Sequence, residues 1–274
     1  MDRIQRNIEQ LVNAKYDTLL EITFGDLLDA QAARFPDNDC VVDPHKGRRL
    51  TYSQFREECD RVARGLMAIG VRPGDHVAIW ATNRIEWVTA MFATAKIGAV
   101  MVTVNTNYKR FELEYLLRQS DAMTLILIQG FKDSDYVQHL REICPELAHS
   151  QPGRLYSRAL PFLKNVIYLE NEREPGMYNW DDLYALAENV DDAERQSIQD
   201  SLDIHDVVNM QYTSGTTGFP KGVMLSHHGV VNNGKSIGDG KRLTEIDREC
   251  IPVPLFHCFG CVLGVTACVT HGSA

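Results

Sequence analysis

The 274-residue sequence is long enough for one large domain or two smaller ones with a substantial hydrophobic core. Its 44% hydrophobic and 24% charged residues are typical of a globular protein and exclude a low-complexity chain. The 28 basic and 37 acidic side chains give a formal net charge of −9, and no stretch concentrates Lys and Arg. This charge pattern disfavours nucleic acid as a partner and leaves room only for a local polyphosphate site.

The N-terminal segment MDRIQRNIEQLVNAKYD contains no apolar run of the length that a secretory signal requires. No window reaches the roughly eighteen consecutive apolar residues of a transmembrane helix. Seven cysteines in a chain of this length do not form a dense disulfide framework. We therefore expect reduced thiols, no transmembrane segment and a cytoplasmic location.

The first strong periodic signal is a helix that begins after Thr51. Its apolar face consists of Phe55, Cys59, Val62, Leu66 and Ile69, at alternating steps of four and three. Thr51 with Gln54 three positions later predicts a capping box, and Gly70 is suited to end the helix. The turn RPGD then leads into HVAIW, a predicted strand.

Helices and strands continue to alternate along the chain. The further predicted elements are a helix from Asn83 to Gly98, the strand AVMVTV, a helix near FELEYLLRQ, and the strands TLILI and NVIYL. Strand, helix and strand at this spacing predict crossover units. The predicted fold class is α/β, with mainly parallel sheets flanked by helices.

Two stretches interrupt this alternation. Residues 144–161 carry three prolines and little periodicity, and we expect a surface excursion there. The acidic segment ENVDDAERQSIQD separates a helix near Trp180 to Ala187 from DVVNMQY, a predicted buried strand. The sequence stops in the strongly apolar GCVLGVTACVTHGSA, so we expect a longer protein and an exposed apolar surface near Val262 to Val269.

The stretch YTSGTTGFPKG, which follows that strand, has the composition of a phosphate-binding loop. Glycines let backbone amides approach a ligand closely, and successive amides form a concave anion site. Its hydroxyl groups belong to Thr213, Ser214, Thr216 and Thr217. These hydroxyls can donate to phosphate oxygens, and Lys221 adds a mobile positive charge. The stretch therefore predicts a polyphosphate site.

Two other interpretations of this stretch are a nucleotide-binding P-loop and a flexible linker. The nucleotide-binding P-loop G-x-x-x-x-G-K-[ST] does not match. Lys221 precedes a glycine, Gly222, instead of following one, and the next residue is Val223 rather than a Ser or Thr. A flexible Gly/Ser/Thr linker has a similar composition. However, the stretch lies between two apolar segments and contains Phe219 and Pro220, which a flexible spacer does not need.

The sequence YTSGTTGFPKGVMLSH resembles the signature of the adenylate-forming superfamily of acyl-CoA synthetases, luciferases and peptide-synthetase adenylation domains. The segments LTYSQF, GVRPGDHVAIWATN, KIGAVMVTVNTNY with ELEYLL, and PVPLFHCFG occur in the order that this family uses. Within it, the sequence is most similar to fatty acyl-CoA synthetases, especially the medium-chain type. The resemblance implies the α/β N-terminal domain of that fold.

The resemblance also implies an activity and a set of binding residues. The activity is ATP-dependent conversion of a fatty acid to an acyl-adenylate, with Mg²⁺, followed by transfer of the acyl group to CoA. The implied ATP-binding residues are Thr213, Ser214, Gly215, Thr216, Thr217, Gly218, Phe219, Pro220 and Lys221. His257, Phe259 and Gly260 are implied to line the acyl site. From the residues alone, His257 in VPLFHCFG also fits a buried core histidine.

The resemblance covers only part of the superfamily's pattern. It implies an incomplete AMP-binding domain, with residues 1–72 and 236–274 in one subdomain and residues 73–235 in the other. The later motifs of the superfamily, which contact adenine, ribose and CoA and supply a lid with a catalytic lysine, do not occur in these residues. We therefore assign no certain catalytic residue, and we expect this chain alone to be inactive.

Two alternatives to an acyl-CoA ligase remain open at this point. The first is a nucleotide-binding module without catalysis. The second is a small zinc-binding protein that uses the C-x-x-C and C-x-x-H pairs formed by Cys258, Cys261, Cys268 and His271. The spacer VLGVTA between the pairs is apolar and lacks the polar turn of a zinc loop. Buried thiols that pack as small hydrophobes explain these cysteines better.

Overall fold

A computed structural model describes residues 2–213 and 219–274. The helices are α1 (Arg3–Asn13), α2 (Phe24–Arg34), α3 (Tyr52–Ala68), α4 (Ile85–Lys96), α5 (Arg110–Gln119), α6 (Tyr136–Ile143), α7 (Trp180–Leu186), α8 (Asp192–Ser201), α9 (His227–Lys241), α10 (Cys258–Gly260) and α11 (Ala267–His271). The strands are β1 (Asp39–Asp43), β2 (Arg48–Thr51), β3 (His76–Trp80), β4 (Val100–Thr103), β5 (Thr124–Leu127), β6 (Gly130–Phe131), β7 (Ser134–Asp135), β8 (Asn165–Tyr168), β9 (Tyr178–Asn179), β10 (Val207–Thr213) and β11 (Lys221–Ser226). Two 3₁₀ turns (Pro145–His149 and Ala187–Asn189) and a π-helical segment (Cys261–Thr266) complete the set.

A seven-stranded sheet, in the order β11-β10-β4-β3-β5-β8-β9, forms the centre of the described residues. Its edge pair β10 and β11 is antiparallel, and the other neighbouring pairs are parallel. Strands β4, β5 and β8 are buried at every residue. Burial of whole strands is what a parallel sheet covered by helices on both faces requires. The predicted α/β class is therefore confirmed.

Helices α2, α3 and α4 pack together through aromatic side chains. Phe24 of α2 stacks on Phe92 of α4 with ring centroids 4.2 Å apart. Phe55 of α3 meets the same ring edge-on at 5.6 Å. Such pairs add to the stabilisation from the buried area itself, so one cluster joins helices that are far apart in the chain.

Helix α3 forms as the sequence predicts. The capping box is present, since Thr51 Oγ1 accepts from the Gln54 N–H at 3.3 Å and Gln54 Oε1 accepts from the Thr51 N–H at 3.0 Å. Gly70 follows the helix with φ of +94°, a conformation that favours glycine. Four of the five predicted face residues are fully buried, and Ile69 is half-buried.

The segment 144–161 differs from its prediction. Leu147, Leu155 and Leu160 are buried in the core of the protein, so the expectation of a surface excursion is wrong for these side chains. Their spacing of eight and five matches neither a helix nor a strand period. Periodicity therefore could not identify them as core residues.

The acidic segment after α7 is also more ordered than its composition suggests. It contains α8, which Asp191 caps by accepting from the Ala193 N–H at 3.0 Å. Arg195 and Gln199 of this helix are buried and hydrogen-bonded to each other at 2.7 Å. The segment is therefore a packed helix that supplies polar groups to the interior, rather than a spacer.

The last apolar segment is covered. Val262, Val265 and Val269 are buried, so the expectation of an exposed apolar surface there is wrong. Helix α9 packs against this segment. Gly234 permits the close approach, because a β-carbon at that position would lie 2.6 Å from Cγ2 of Thr266.

No helix of the described residues is long and apolar enough to span a membrane.

Candidate functional site

The candidate phosphate loop lies at the carboxyl end of β10. In open α/β sheets this edge is where ligands bind, and β10 runs parallel to β4. Thr213, the last residue of β10, pairs across the hairpin with Lys221, the first residue of β11. Both residues are exposed. The hairpin register therefore brings a hydroxyl and an ammonium group to the two ends of the loop.

The other predicted loop residues divide into two groups. Ser214, Gly215, Thr216, Thr217 and Gly218 lie outside the described residues. Phe219 is 67% exposed, and Pro220 is half-buried. The ATP-binding role of the whole set stays a prediction.

His257 lies directly before α10 and caps it. Its Nδ1 accepts from the Phe259 backbone N–H at 3.2 Å. A neutral imidazole that accepts at Nδ1 carries its proton on Nε2, so His257 presents an N–H donor on its other side. The side chain is exposed. The interpretation of His257 as a buried core histidine is therefore wrong.

The two other predicted acyl-site residues differ in environment. Phe259 is 54% exposed, so its ring is accessible to an apolar ligand. Gly260 is buried, and a β-carbon there would lie 2.5 Å from the Pro254 carbonyl oxygen. Only glycine fits this contact. The roles of Phe259 and Gly260 in an acyl site stay predictions.

A contact within the core connects the phosphate loop to the His257 segment. Gln211, two residues before Thr213 on β10, donates to Sγ of Cys261 at 3.3 Å and to Oδ1 of Asn209 at 2.8 Å. Burial raises the pKa of the Cys261 thiol to about 12, so the sulfur is protonated at neutral pH. Strand β10, which leads to the loop, therefore contacts the helical segment that follows His257, although the two residues in contact are 50 positions apart in the chain.

Asn83 is a residue whose role the sequence did not reveal. Its Nδ2 donates to the carbonyl oxygens of Ile251 and Val253 at 3.2 and 2.8 Å. Its Oδ1 accepts from the Leu255 N–H at 2.9 Å. This one amide therefore fixes the segment that leads to His257. Its pattern in the sequence indicated only a helix start near α4.

The environment of His227, which follows the β10–β11 hairpin, indicates a structural role. Its Nδ1 accepts from the Phe24 N–H at 3.0 Å, and its Nε2 has no hydrogen-bond partner among the described residues. Burial lowers the pKa of His227 to about 4. The ring is neutral at physiological pH and joins the start of α9 to the start of α2.

The four zinc candidates have separate partners. Besides the contact of Cys261 with Gln211, Cys258 Sγ lies 3.7 Å from Nδ1 of His257. Cys268 Sγ lies 3.7 Å from Glu249, and His271 Nε2 lies 3.2 Å from Asp239. Within residues 2–213 and 219–274, no group of three or more His, Cys, Asp or Glu side chains is arranged to hold a metal ion. The described residues therefore give the zinc alternative no support.

The fold and the loop composition together define an α/β protein with a candidate phosphate site at the carboxyl edge of its sheet. The sequence pattern of the family described as "AMP-binding enzyme" matches residues 28–274. The chain belongs to the AMP-binding enzyme family.

Known relatives of this chain carry the names of acyl-CoA synthetases and ligases. "Putative acyl-CoA synthetase YngI" of Bacillus subtilis (strain 168) is 54% identical over 256 residues, which are 93% of this chain and 47% of that protein. "Medium-chain acyl-CoA ligase ACSF2, mitochondrial" of Macaca fascicularis is 40% identical over 260 residues, 93% of this chain and 42% of that protein. The chain therefore spans about half the length of the curated relatives it matches.

A solved structure has the same fold. The anthranilate CoA ligase AuaEII, crystallised in complex with anthranoyl-AMP, is 25% identical with a TM-score of 0.76, over 95% of this chain and 46% of that one. The predicted resemblance to the N-terminal part of adenylate-forming acyl-CoA synthetases is confirmed.

Proposed function

We propose that the chain forms part of a fatty acid–CoA ligase. In this reaction a carboxylate attacks the α-phosphate of ATP, giving an acyl-adenylate and pyrophosphate, and the thiol of CoA then displaces AMP. The observation that carries the proposal is the β10–β11 register, in which Thr213 and Lys221 face each other across a Gly-, Ser- and Thr-rich loop. The names of the relatives support an acyl-CoA product, and a CoA ligase with the same fold binds an acyl-adenylate.

The loop would act on the leaving group. An in-line displacement at phosphorus depends on positioning and charge stabilisation. Lys221 would neutralise charge on the departing pyrophosphate, while Thr213 and the loop residues 214–218 would donate to its oxygens. These roles apply equally to all acyl substrates, so they do not select the acid.

The His257 segment would act on the acid. Since Nδ1 of His257 is occupied by the Phe259 N–H, the Nε2–H would donate to a carboxylate oxygen and orient the attacking oxygen. Phe259 would contact the first methylenes of the acyl chain. Asn83 would hold this segment in place without touching the substrate.

Mg²⁺ would enter with ATP. The ion keeps several waters and binds through substrate phosphates with few protein ligands. Thr213 offers one exposed hydroxyl oxygen, and the described residues hold no acidic group of three or more that would bind the ion alone. These residues fit a metal that arrives on the polyphosphate, where it would neutralise phosphate charge.

We propose further that this chain alone binds ATP but does not complete the reaction, because its relatives are about twice as long. A nucleotide-binding module without catalysis then describes the isolated chain. A fatty acid as the substrate and a cytoplasmic location are also part of the proposal. The seven free cysteines fit a reducing compartment.

The test is carboxylate-dependent exchange of pyrophosphate into ATP by a form of the protein extended to the length of its relatives. We expect Lys221→Ala to reduce exchange by about 10²-fold, as for loss of a charged group at a developing charge. Lys164→Ala, at an exposed lysine before β8, is the matched control and should retain activity. Unimpaired exchange by Lys221→Ala would contradict the assignment of the loop to phosphate binding. Robust exchange by the 274-residue chain would refute the proposal that this chain alone is inactive.

A further inference from the structure

Helix α5 contacts the residues on both sides of the phosphate loop. The Tyr212 hydroxyl, on the strand that enters the loop, hydrogen-bonds to Gln119 Oε1. The Tyr115 hydroxyl donates to the Pro220 carbonyl oxygen, on the side that leaves the loop, at 3.1 Å. Tyr115 and Gln119 are four residues apart, so they lie on the same face of the helix one turn from each other. One helical face therefore holds both ends of the loop.

A second contact strengthens the exit side. The rings of Tyr115 and Phe219 lie 5.1 Å apart at an interplanar angle of 29°. This is a favourable offset arrangement for two aromatic rings. Phe219 is otherwise largely exposed, so its orientation depends on this stack. Two independent contacts from Tyr115 thus fix the two residues that directly precede Lys221.

The support itself is anchored in the core. Leu113, Leu116 and Leu117 of α5 are fully or almost fully buried. Glu112 caps the helix by accepting from the Lys109 N–H at 3.2 Å. Because its opposite face is packed, α5 can impose its geometry on Tyr212, Phe219 and Pro220.

We propose that Tyr115, assisted by Gln119, is a positioning residue of the ATP site. It acts through Pro220 and Phe219 on the approach of Lys221 to the polyphosphate, and it does not touch the nucleotide. Fixed conformations of Phe219 and Pro220 restrict the backbone that enters Lys221, so less conformational entropy is lost when its ammonium group meets the polyphosphate. The inference rests on the proposed ATP-binding function.

The kinetic test compares Tyr115→Phe and Tyr115→Ala in the extended enzyme. Tyr115→Phe keeps the stack and loses one hydrogen bond, so we expect the KM for ATP to rise about threefold to tenfold. Tyr115→Ala loses both contacts and should raise it further. The KM for the carboxylate should stay within about twofold of the wild-type value in both variants. A merely structural defect would instead lower kcat and affect both substrates.

The matched control is Phe111→Ala on the same helix. Its ring is 71% exposed and lies 4.5 Å from the Arg110 guanidinium. We expect its KM for ATP to equal that of the wild type. Hydrogen exchange of residues 219–224 in the 274-residue chain gives a readout independent of activity. Exchange there should be faster in Tyr115→Ala than in Phe111→Ala.

The outcomes separate the inference from the proposed function. If Lys221→Ala impairs ATP use while both Tyr115 variants keep the wild-type KM for ATP, the positioning role is wrong and the ATP site stands. If Lys221→Ala leaves ATP use unchanged, the site assignment fails and the role of Tyr115 fails with it. An increased KM for ATP with unchanged carboxylate KM and faster local exchange supports the proposal.

Discussion

At the scale of single residues, one side-chain amide fixes the segment that precedes His257, since Asn83 makes three hydrogen bonds to the backbone of residues 251–255. The type and position of Asn83 predicted only a role at the start of a helix. Its three hydrogen-bond partners lie 168 to 172 residues later in the chain, where local sequence gives no sign of them. Long-range partners leave no local pattern. By contrast, the glycines, hydroxyls and lysine of the loop are adjacent in sequence, so their shared chemistry could be recognised directly. The apolar neighbours of His257 in the sequence indicated a buried side chain, whereas the side chain is exposed.

Asn83 provides a test of how the His257 segment is held. In the extended enzyme, Asn83→Ala removes three hydrogen bonds to the backbone of residues 251–255, and the segment loses its fixed position. A displacement of about 1 Å at such a group costs on the order of 10²-fold, so we expect kcat/KM for the carboxylate to fall by about 10- to 100-fold. The KM for ATP should change by less than about threefold. Steady-state kinetics with each substrate varied in turn measures both.

Two further variants sharpen this test. Asn83→Asp keeps an acceptor for the Leu255 N–H but cannot donate to the Ile251 and Val253 carbonyl oxygens, so it should be at least as impaired as Asn83→Ala. Asn171→Ala, at an exposed residue after β8, should behave as wild type. Equal activity of Asn83→Ala and Asn171→Ala would show that the hydrogen bonds do not position the segment.

At the scale of elements, regular periodicity predicted most of the sheet and its helices. The predicted helix after Thr51, the strand HVAIW and the strands TLILI and NVIYL appear as α3, β3, β5 and β8. Helix α8 was missed because its interior side is polar: Arg195 and Gln199 are buried by hydrogen bonding rather than by hydrophobicity. A pattern of apolar residues cannot detect a helix that packs through charges.

Gly65 shows how an element can be packed on a side that periodicity does not reveal. It lies outside the predicted apolar face of α3 and contacts α7, where a β-carbon would be 2.5 Å from the Leu183 carbonyl oxygen. Gly65→Ala should therefore reduce the free energy of unfolding by about 1–3 kcal/mol through overpacking. This outweighs the gain of about 0.5–1 kcal/mol that alanine brings to a helix interior. Urea unfolding of the 274-residue chain measures the difference.

Gly240→Ala is the control for helix propensity. Gly240 lies in α9, and no atom within 4 Å obstructs a β-carbon there. This variant should be neutral or more stable by up to about 1 kcal/mol. If Gly65→Ala were as stable as Gly240→Ala, the contact between α3 and α7 would accommodate a methyl group without strain.

At the scale of the whole molecule, contacts between distant segments determine how the elements are assembled. The Tyr52 hydroxyl donates to the Ser273 carbonyl oxygen at 2.7 Å, and Gln31 Nε2 donates to the Thr270 carbonyl oxygen at 2.8 Å. These contacts join α2 and α3 to the last residues of the chain. The sequence indicated neither pairing. The division into one subdomain of residues 1–72 and 236–274 and another of residues 73–235 stays a prediction.

A buried ionic cluster likewise joins α2, α3, α4 and α8. Lys96 is 0% exposed, and its Nζ lies 2.5 Å from Asp29 and 2.6 Å from Asp60. Gln199 donates to Asp29 at 2.7 Å, and Arg195 lies 3.5 Å from Asp60. Each carboxylate therefore receives partners from two helices. The cluster fixes how these helices are positioned relative to one another, as fully satisfied buried polar networks do.

Removal of the central charge tests this cluster. Burial alone would lower the pKa of Lys96, but Asp29 and Asp60 outweigh it and the pKa is raised. A raised folded-state pKa means that the stabilisation is complete below about pH 10 and is lost only above it. At pH 7, Lys96→Met should therefore lower the free energy of unfolding by about 3–5 kcal/mol, because two carboxylates lose their shared partner. Lys109→Met, which breaks the exposed pair with Asp133, should cost less than about 1 kcal/mol. Urea titrations of both variants measure this contrast. If both variants lost the same free energy of unfolding, the cluster would not be what fixes the positions of these helices.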